Sequence, residues 1–202
     1  RTPDALFNGA AVVNVVQSCM PNIKNAWQIP AVDLNTILVA IRIASYGNDA
    51  EIDTHCPHCE ADNSYALNLR GILDQIEAPD YSASLKRNDV EIYFKPMSYE
   101  QQNQINIAQF EQQRIITQLP ASEFTDEQKN QQLTDALSAI TKITIQAITY
   151  TISVIRTPNA LVSEPEFIQE FLVNCDHAFR CILTLAVLGI SLNLRSNIAT
   201  SL

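Results

Sequence analysis

The stretch from Thr36 to Arg70 constrains this chain most. It joins a nearly unbroken apolar run, TILVAIRIASYG, to NDAEIDTHCPHCEADNSYALNLR, which has a Cys-x-x-Cys at its centre. Leu34, Ile37, Leu38, Ile41 and Ala44 recur at helical spacing, and Ala40 and Ile43 widen the apolar face. A helix that apolar is expected to be buried. Asp33 is placed to cap its start and Gly47 to stop it. Beyond Gly47 the period changes. Ile52 and Thr54 alternate with polar residues before the cysteines, and Tyr65, Leu67 and Leu69 do so after them. The pattern predicts a hairpin whose turn carries Cys56-Pro57-His58-Cys59.

Such a turn sets two sulfurs on one side, within reach of one ion. Zn²⁺ takes four tetrahedral thiolate or imidazole ligands, so Cys56 and Cys59 supply half of a metal site. His55, His58 and Cys19 are weaker candidates for the remainder, and Cys175 and His177 are further donors elsewhere in the chain. Three outcomes stay open: a filled zinc site, a vestigial knuckle, or a knuckle completed by a partner subunit. A redox dithiol is disfavoured, because it wants the motif at a helix N-terminus where the dipole lowers the thiol pKa, and strand-like sequence follows here. Cys175, His177 and Cys181 fall at spacings that share no close helix face. The thiols among them, and Cys19, read most simply as core residues.

The flanks are mostly helical. Thr2-Pro3-Asp4 is suited to open a helix. Ala10 to Val16 is read as a helix, although its valines also suit a strand, and PNIKNAWQIP as a loop whose Trp27 plugs the core or anchors a partner, the core being the simpler reading. After the hairpin, residues 71–76 form at most a short helix and 77–84 a loop. Val90, Ile92 and Phe94 then mark a strand with one buried face, expected to pair with the hairpin. Ser98 with Gln101, Thr125 with Gln128 and Ser163 with Glu166 are capping boxes opening three helices. The first has a glutamine-rich exterior. The second keeps helical spacing from Leu133 to Ile155, though its β-branched residues leave a break or partial strand open. The third starts with Pro165 in its first turn and carries Phe167, Phe171, Ala178 and Ile182 on one side. Ile182 to Leu192 is almost wholly apolar but well short of the ~20 residues needed to span a bilayer. It reads as a buried helix end or a patch covered by a neighbouring subunit, followed by a loose polar tail.

The fold class is therefore α+β and mostly α-helical: a helical core with a small antiparallel β-hairpin or sheet carrying the Cys-x-x-Cys knuckle. One domain spans 1–202. Within it a hairpin-and-strand module at 48–96 lies between N-terminal helices at 1–47 and a C-terminal helical region at 97–202. A chain of 202 residues buries ~70% of its unfolded surface and needs no metal or disulfide to fold. A net charge of −9 with 13 Lys and Arg argues against nucleic-acid binding. Four isolated glycines offer no phosphate-cradling loop. Five cysteines, an odd number without a secreted framework, and no signal peptide point to a reducing cytoplasm. No triad or general acid–base pair emerges, so no catalytic and no cofactor-binding residue is nominated.

The succession VVQSCMPNI, PAVDLNTILVAIRIASYG, CPHC, YALNLR and VEIYFKPMSYEQ resembles the small hub or hub-assembly proteins of T-even-like contractile-tail phage baseplates. The resemblance runs over residues 1 to 120 in element order and is sharpest in the IRIASYG-to-CPHC spacing. It implies a virion or assembly role without catalysis, hub and tail proteins as partners in a hetero-oligomeric assembly, and residence in the virion and, during assembly, the host cytoplasm. Members of that family usually have more chain before the position of Arg1 and often a second cysteine pair near the C-terminus. The absence of such a pair after Arg180 leaves the metal set incomplete. The function expected is that of a structural or assembly component of the baseplate hub, acting by protein–protein contact. The alternative is a zinc-knuckle chaperone or adaptor not retained in the virion, and a cytoplasmic thiol enzyme is a third class.

Overall fold

The computed structural model describes residues 9–76, 80–176, 179–180 and 183. The helix start at Thr2-Pro3-Asp4, His177, Cys181 and nearly all of the late apolar run and tail lie outside the described residues. The architecture is mostly helical with two small antiparallel sheets.

The first valine-rich run is a helix, α1 (Ala10–Cys19), which buries Val13 and Val16. Gly9 precedes it with φ 78°, and a Cβ added there would meet the Tyr99 hydroxyl at 2.9 Å. Glycine is thus required by both backbone and space. A single 3₁₀ turn (Ala26–Gln28) leads to α2 (Ala31–Tyr46). That helix starts earlier than expected. The Pro30 carbonyl accepts the Asp33 and Leu34 N–H groups at 3.0 and 3.1 Å, so Asp33 lies inside the first turn, where its charge suits the helix dipole, and does not cap the end. Gly47 terminates the helix at φ 89°.

α1, the 3₁₀ turn and one side of α2 enclose a first apolar cluster of Val13, Val16, Ala26 and Leu34. Half-buried Trp27 packs at its margin and stacks on Tyr99, with ring centroids 5.5 Å apart. The expectation that α2 is buried fails. Leu34 alone is fully buried, and the other apolar residues are half-covered or exposed. The helix is apolar nearly all round, and the described chain covers only one side of it.

β1 (Asp49–His55) and β2 (Asp62–Asn68) pair antiparallel as a two-stranded sheet of their own. α3 (Leu69–Asp74) follows directly, capped by the Asn68 side chain, which accepts the Gly71 N–H at 2.9 Å. β3 (Ser84–Arg87) and β4 (Val90–Phe94) form a second hairpin. The expected pairing of β4 with the cysteine hairpin does not occur. β4 pairs instead with β5 (Ile152–Arg156), which pairs with β6 (Leu161–Val162), in the order β3-β4-β5-β6.

α4 (Tyr99–Gln118) and α5 (Asp126–Thr151) both open with complete capping boxes, Ser98–Gln101 and Thr125–Gln128. They pack together, and Ile105 of α4, Leu119 just beyond it, and Ala136 and Ile143 of α5 are buried. α5 runs straight into β5, so Ile155 belongs to a strand. The β-branched density noted above resolves into that helix-to-strand change. α6 (Pro165–Asn174) begins with Glu164 at its cap and no side-chain cap bond, so the Ser163–Glu166 box is not formed. Its buried face is Ile168 and Leu172, while Phe167 is 59% exposed. These residues close a second and larger cluster with Ile92, Phe94, Ile145, Ile148, Ile152, Ile155, Phe179 and Leu183.

Glu91 on β4 accepts the Ser84 hydroxyl at 2.7 Å and lies 3.1 Å from the Lys86 ammonium and 3.2 Å from Arg156. The Ser84 hydrogen bond, then Lys86, hold its carboxyl at about 2, below its ordinary 4.5.

Two outcomes follow from this packing. Leu172→Ala should destabilise by about 2–5 kcal/mol as a core truncation, whereas Phe167→Ala should change stability by no more than about 0.5 kcal/mol; urea unfolding of the two variants checks the face assignment. The lowered Glu91 pKa stabilises the sheet fully above pH 4.5, and that contribution is lost as pH falls toward 2. Melting temperatures of wild type and Glu91→Gln should therefore differ at neutral pH and converge on acidification.

Candidate functional site

The hairpin of β1 and β2 carries the candidate site, and its shape follows from strict alternation. Its register pairs Ala50 with Leu67, Ile52 with Tyr65 and Thr54 with Asn63 on one face. Asp49, Glu51, Asp53 and His55 lie on the other, opposite Asn68, Ala66, Ser64 and Asp62. One face is thus apolar toward its base, the other acidic and polar. The apolar face is not covered within the described chain: Ile52 is 43% and Tyr65 53% exposed.

The turn is held by backbone bonds. Cys56 N–H donates to the Ala61 carbonyl and Glu60 N–H to the Cys56 carbonyl, both at 2.9 Å. Glu60 takes a positive φ of 57° to close it. Cys56 is half-buried and Cys59 exposed. The backbone N–H of Cys59, then that of His58, then the Cys59 thiol hydrogen-bond to Cys56 and hold its thiol below the ordinary range.

The weaker donors are distributed differently. His55 Nδ1 lies 2.9 Å from the Asp62 carboxylate across the strand pair. His58 sits exposed in the turn itself. Cys19 ends α1 and is exposed, so it is not the core thiol expected from the preceding apolar run; α1 buries Val13 and Val16 and turns its last residues outward. Cys175 follows α6 beside the second apolar cluster, its Sγ 3.3 Å from the Leu172 carbonyl, and burial pushes its pKa up. Among the described residues no group of three or more His, Cys, Asp or Glu is brought together to hold a metal ion. Among the described residues, Cys56 and Cys59 share the hairpin turn, while Cys19 and Cys175 lie on other elements.

Other uncovered apolar side chains lie on the helices. Leu133 and Leu137 are one turn apart on α5, 37% and 52% exposed, and Phe110 on α4 is 49% exposed. Gln104, Gln109, Gln113 and Gln118 on α4 face solvent, and Gln101, Gln102 and Gln112 are half-buried. The aromatic and aliphatic members of these surfaces escaped the sequence reading. Their periodicity marks an apolar stripe without saying whether the same chain covers it. No helix among the described residues is long and apolar enough to cross a membrane.

A model of the family described as T4 bacteriophage base plate protein matches residues 2–170. No curated protein and no solved structure gives a match.

The thiol environments predict an order of reactivity. In metal-free, reduced protein at neutral pH, Cys56 should alkylate faster than Cys175, since the first thiolate is favoured by hydrogen bonds and the second is penalised by burial. Timed alkylation read by peptide mass spectrometry checks it, and Cys175 reacting first would contradict the geometry.

Proposed function

The chain belongs to the T4 bacteriophage base plate protein family and has a structural or assembly role in the phage baseplate; we propose that this role is at the hub of a contractile-tail baseplate. It acts there by protein–protein contact with other hub and tail proteins in a hetero-oligomeric assembly. It is made in the host cytoplasm and carried into the virion.

What supports the hub reading is the stretch that resembles the small hub proteins. IRIASYG ends one helix, and CPHC lies at the tip of the hairpin that follows it. The observation that carries the contact mechanism is the uncovered apolar surface. Ile52 and Tyr65 on the hairpin, the half-covered sides of α2, and Leu133 with Leu137 on α5 are large apolar groups left in contact with water. Covering such surface stabilises an assembly by roughly 25 cal/mol per Å² removed from water. Binding of this kind proceeds by mass action: partners that recognise the folded chain draw it into one geometry. No bond in a substrate needs to be made or broken, and no catalytic residue is assigned.

The second reading is an assembly chaperone or adaptor that leaves before the particle is complete, and the same apolar surface favours it. The two separate on retention in the finished particle.

An affinity-tagged copy expressed during infection should co-purify with hub and tail proteins and be present in purified particles. Recovery with those proteins from lysates but not from particles selects the chaperone role. Recovery with no tail protein at all overturns both. Leu137→Glu, which puts a charge on the exposed α5 face, should lower that recovery about tenfold or more while leaving the melting temperature nearly unchanged, because desolvating an unpaired charge costs well over 1.4 kcal/mol in a buried contact.

A further inference from the structure

We propose that the tip of the β1–β2 hairpin is one half of a tetrahedral zinc site and that a second copy of this chain completes it. The site is formed by Cys56 and Cys59 of each copy around one Zn²⁺. This inference concerns the pairing of the chain with itself and stands apart from the hub reading.

Three observations converge on it. The first is the ligand count. Zn²⁺ in a structural site takes four ligands, and the hairpin turn carries two cysteines three residues apart, in a backbone closed by the Cys56–Ala61 and Glu60–Cys56 bonds. The second is that the other described thiols, Cys19 and Cys175, lie on other elements. Cys19 ends α1, and Cys175 packs at the second apolar cluster. No described group of three or more donors exists, so the described chain does not close the coordination sphere from its own elements. The third is position. The hairpin forms a sheet of two strands only, its residues are exposed along nearly its whole length, and its tip therefore reaches outward to where another molecule can approach.

A second copy is the occupant that the donor set specifies. A two-fold axis through the metal brings an identical pair of sulfurs to the opposite side, giving four thiolates with no ligand left over and no further half-site open. Such a contact is isologous and closes at two chains. It also places the two hairpins together, where the exposed Ile52–Tyr65 face is available for cover by the neighbouring arm. The acidic residues on the opposite face, Glu51 and Asp53 with nearby Asp62, oppose the approach of two like-charged arms. The metal supplies the attraction that offsets this. Each chain gives up two thiol protons on binding, and the ion's two positive charges partly neutralise the four sulfurs.

The test uses the full chain, reduced and stripped of metal, then titrated with zinc chloride. Sedimentation and native mass spectrometry should show the mass doubling, with one zinc per two chains. A chelator should return the monomer. Cobalt substitution should give the intense visible bands of a tetrahedral four-thiolate site. Cys59→Ser should abolish both zinc uptake and doubling while circular dichroism stays unchanged, because the side chain lies in an exposed turn. One zinc per monomer, a zinc-independent dimer, or a chain that remains a metal-free monomer, whether with free thiols or with a Cys56–Cys59 disulfide, would each overturn the proposal. Any of these results leaves the hub role to be decided by the co-purification experiment alone.

Discussion

The antiparallel pairing of β4 with β5 is the contact on which the larger part of the structure depends. It sets Ile92 against Ile155 and Phe94 against Ile152, joining segments that are distant in the sequence. Three of these four side chains are no more than 1% exposed, and Phe94 is 7% exposed. The loop-closure entropy of so distant a contact must be repaid by burial, and the second apolar cluster provides it. α5 delivers β5 with no intervening loop. The Lys95 N–H donates to the Thr151 carbonyl at 2.8 Å, which fastens the end of β4 to the last turn of that helix. A register shift at Tyr93 and Phe94 accommodates the change from ladder to helix end. Once the two strands are paired, α5 and α6 have a fixed sheet to lie on, and Ile168 and Leu172 fill the space between.

The first cluster is connected to this assembly through a narrower seam. Ala31 N–H reaches the Met97 carbonyl at 2.9 Å and Tyr99 N–H the Ile29 carbonyl at 2.8 Å. The Tyr99 ring stacks on Trp27, and its hydroxyl occupies the space beside Gly9. One tyrosine at the start of α4 thereby touches the beginning of α1 and the turn before α2. The chain's N-terminal helices are organised around a residue that the sequence separates from them by the whole cysteine hairpin.

That hairpin is the least self-sufficient element. A two-stranded sheet alone in water is marginally stable, and this one leaves its apolar face in solvent. Its backbone bonds, the His55–Asp62 contact at 2.9 Å and its junction with α3 hold its shape. Its surface chemistry, apolar on one face and acidic on the other with two thiols at the tip, suits docking. The uncovered parts of α2 and α5 have the same character. Such surfaces are expected of a protein whose working state is an assembly, and membership in a baseplate family supplies that context.

Much of this was legible from residues alone. The hairpin around Cys56 and Cys59, the capping boxes at Ser98 and Thr125, the glycine stop at Gly47 and the buried face of β4 are local matters. Each is decided by alternation, side-chain caps or φ within a few residues, and the sequence carries all of that information. Tertiary structure decided the rest. β4 chose β5 over the cysteine hairpin because the large cluster needs Ile92 and Phe94 beneath α5 and α6, and no local pattern names a strand's partner. The Ser163 box yielded to Glu164 at the cap, and α6 buries Ile168 and Leu172 with Phe171 packed beside them while Phe167 stays exposed, because docking fixes which side of an amphipathic helix points inward. Cys19 is exposed and most of α2 only half-covered for the converse reason. An apolar residue records that burial is favourable, while the supply of neighbouring surface determines whether the same chain provides it.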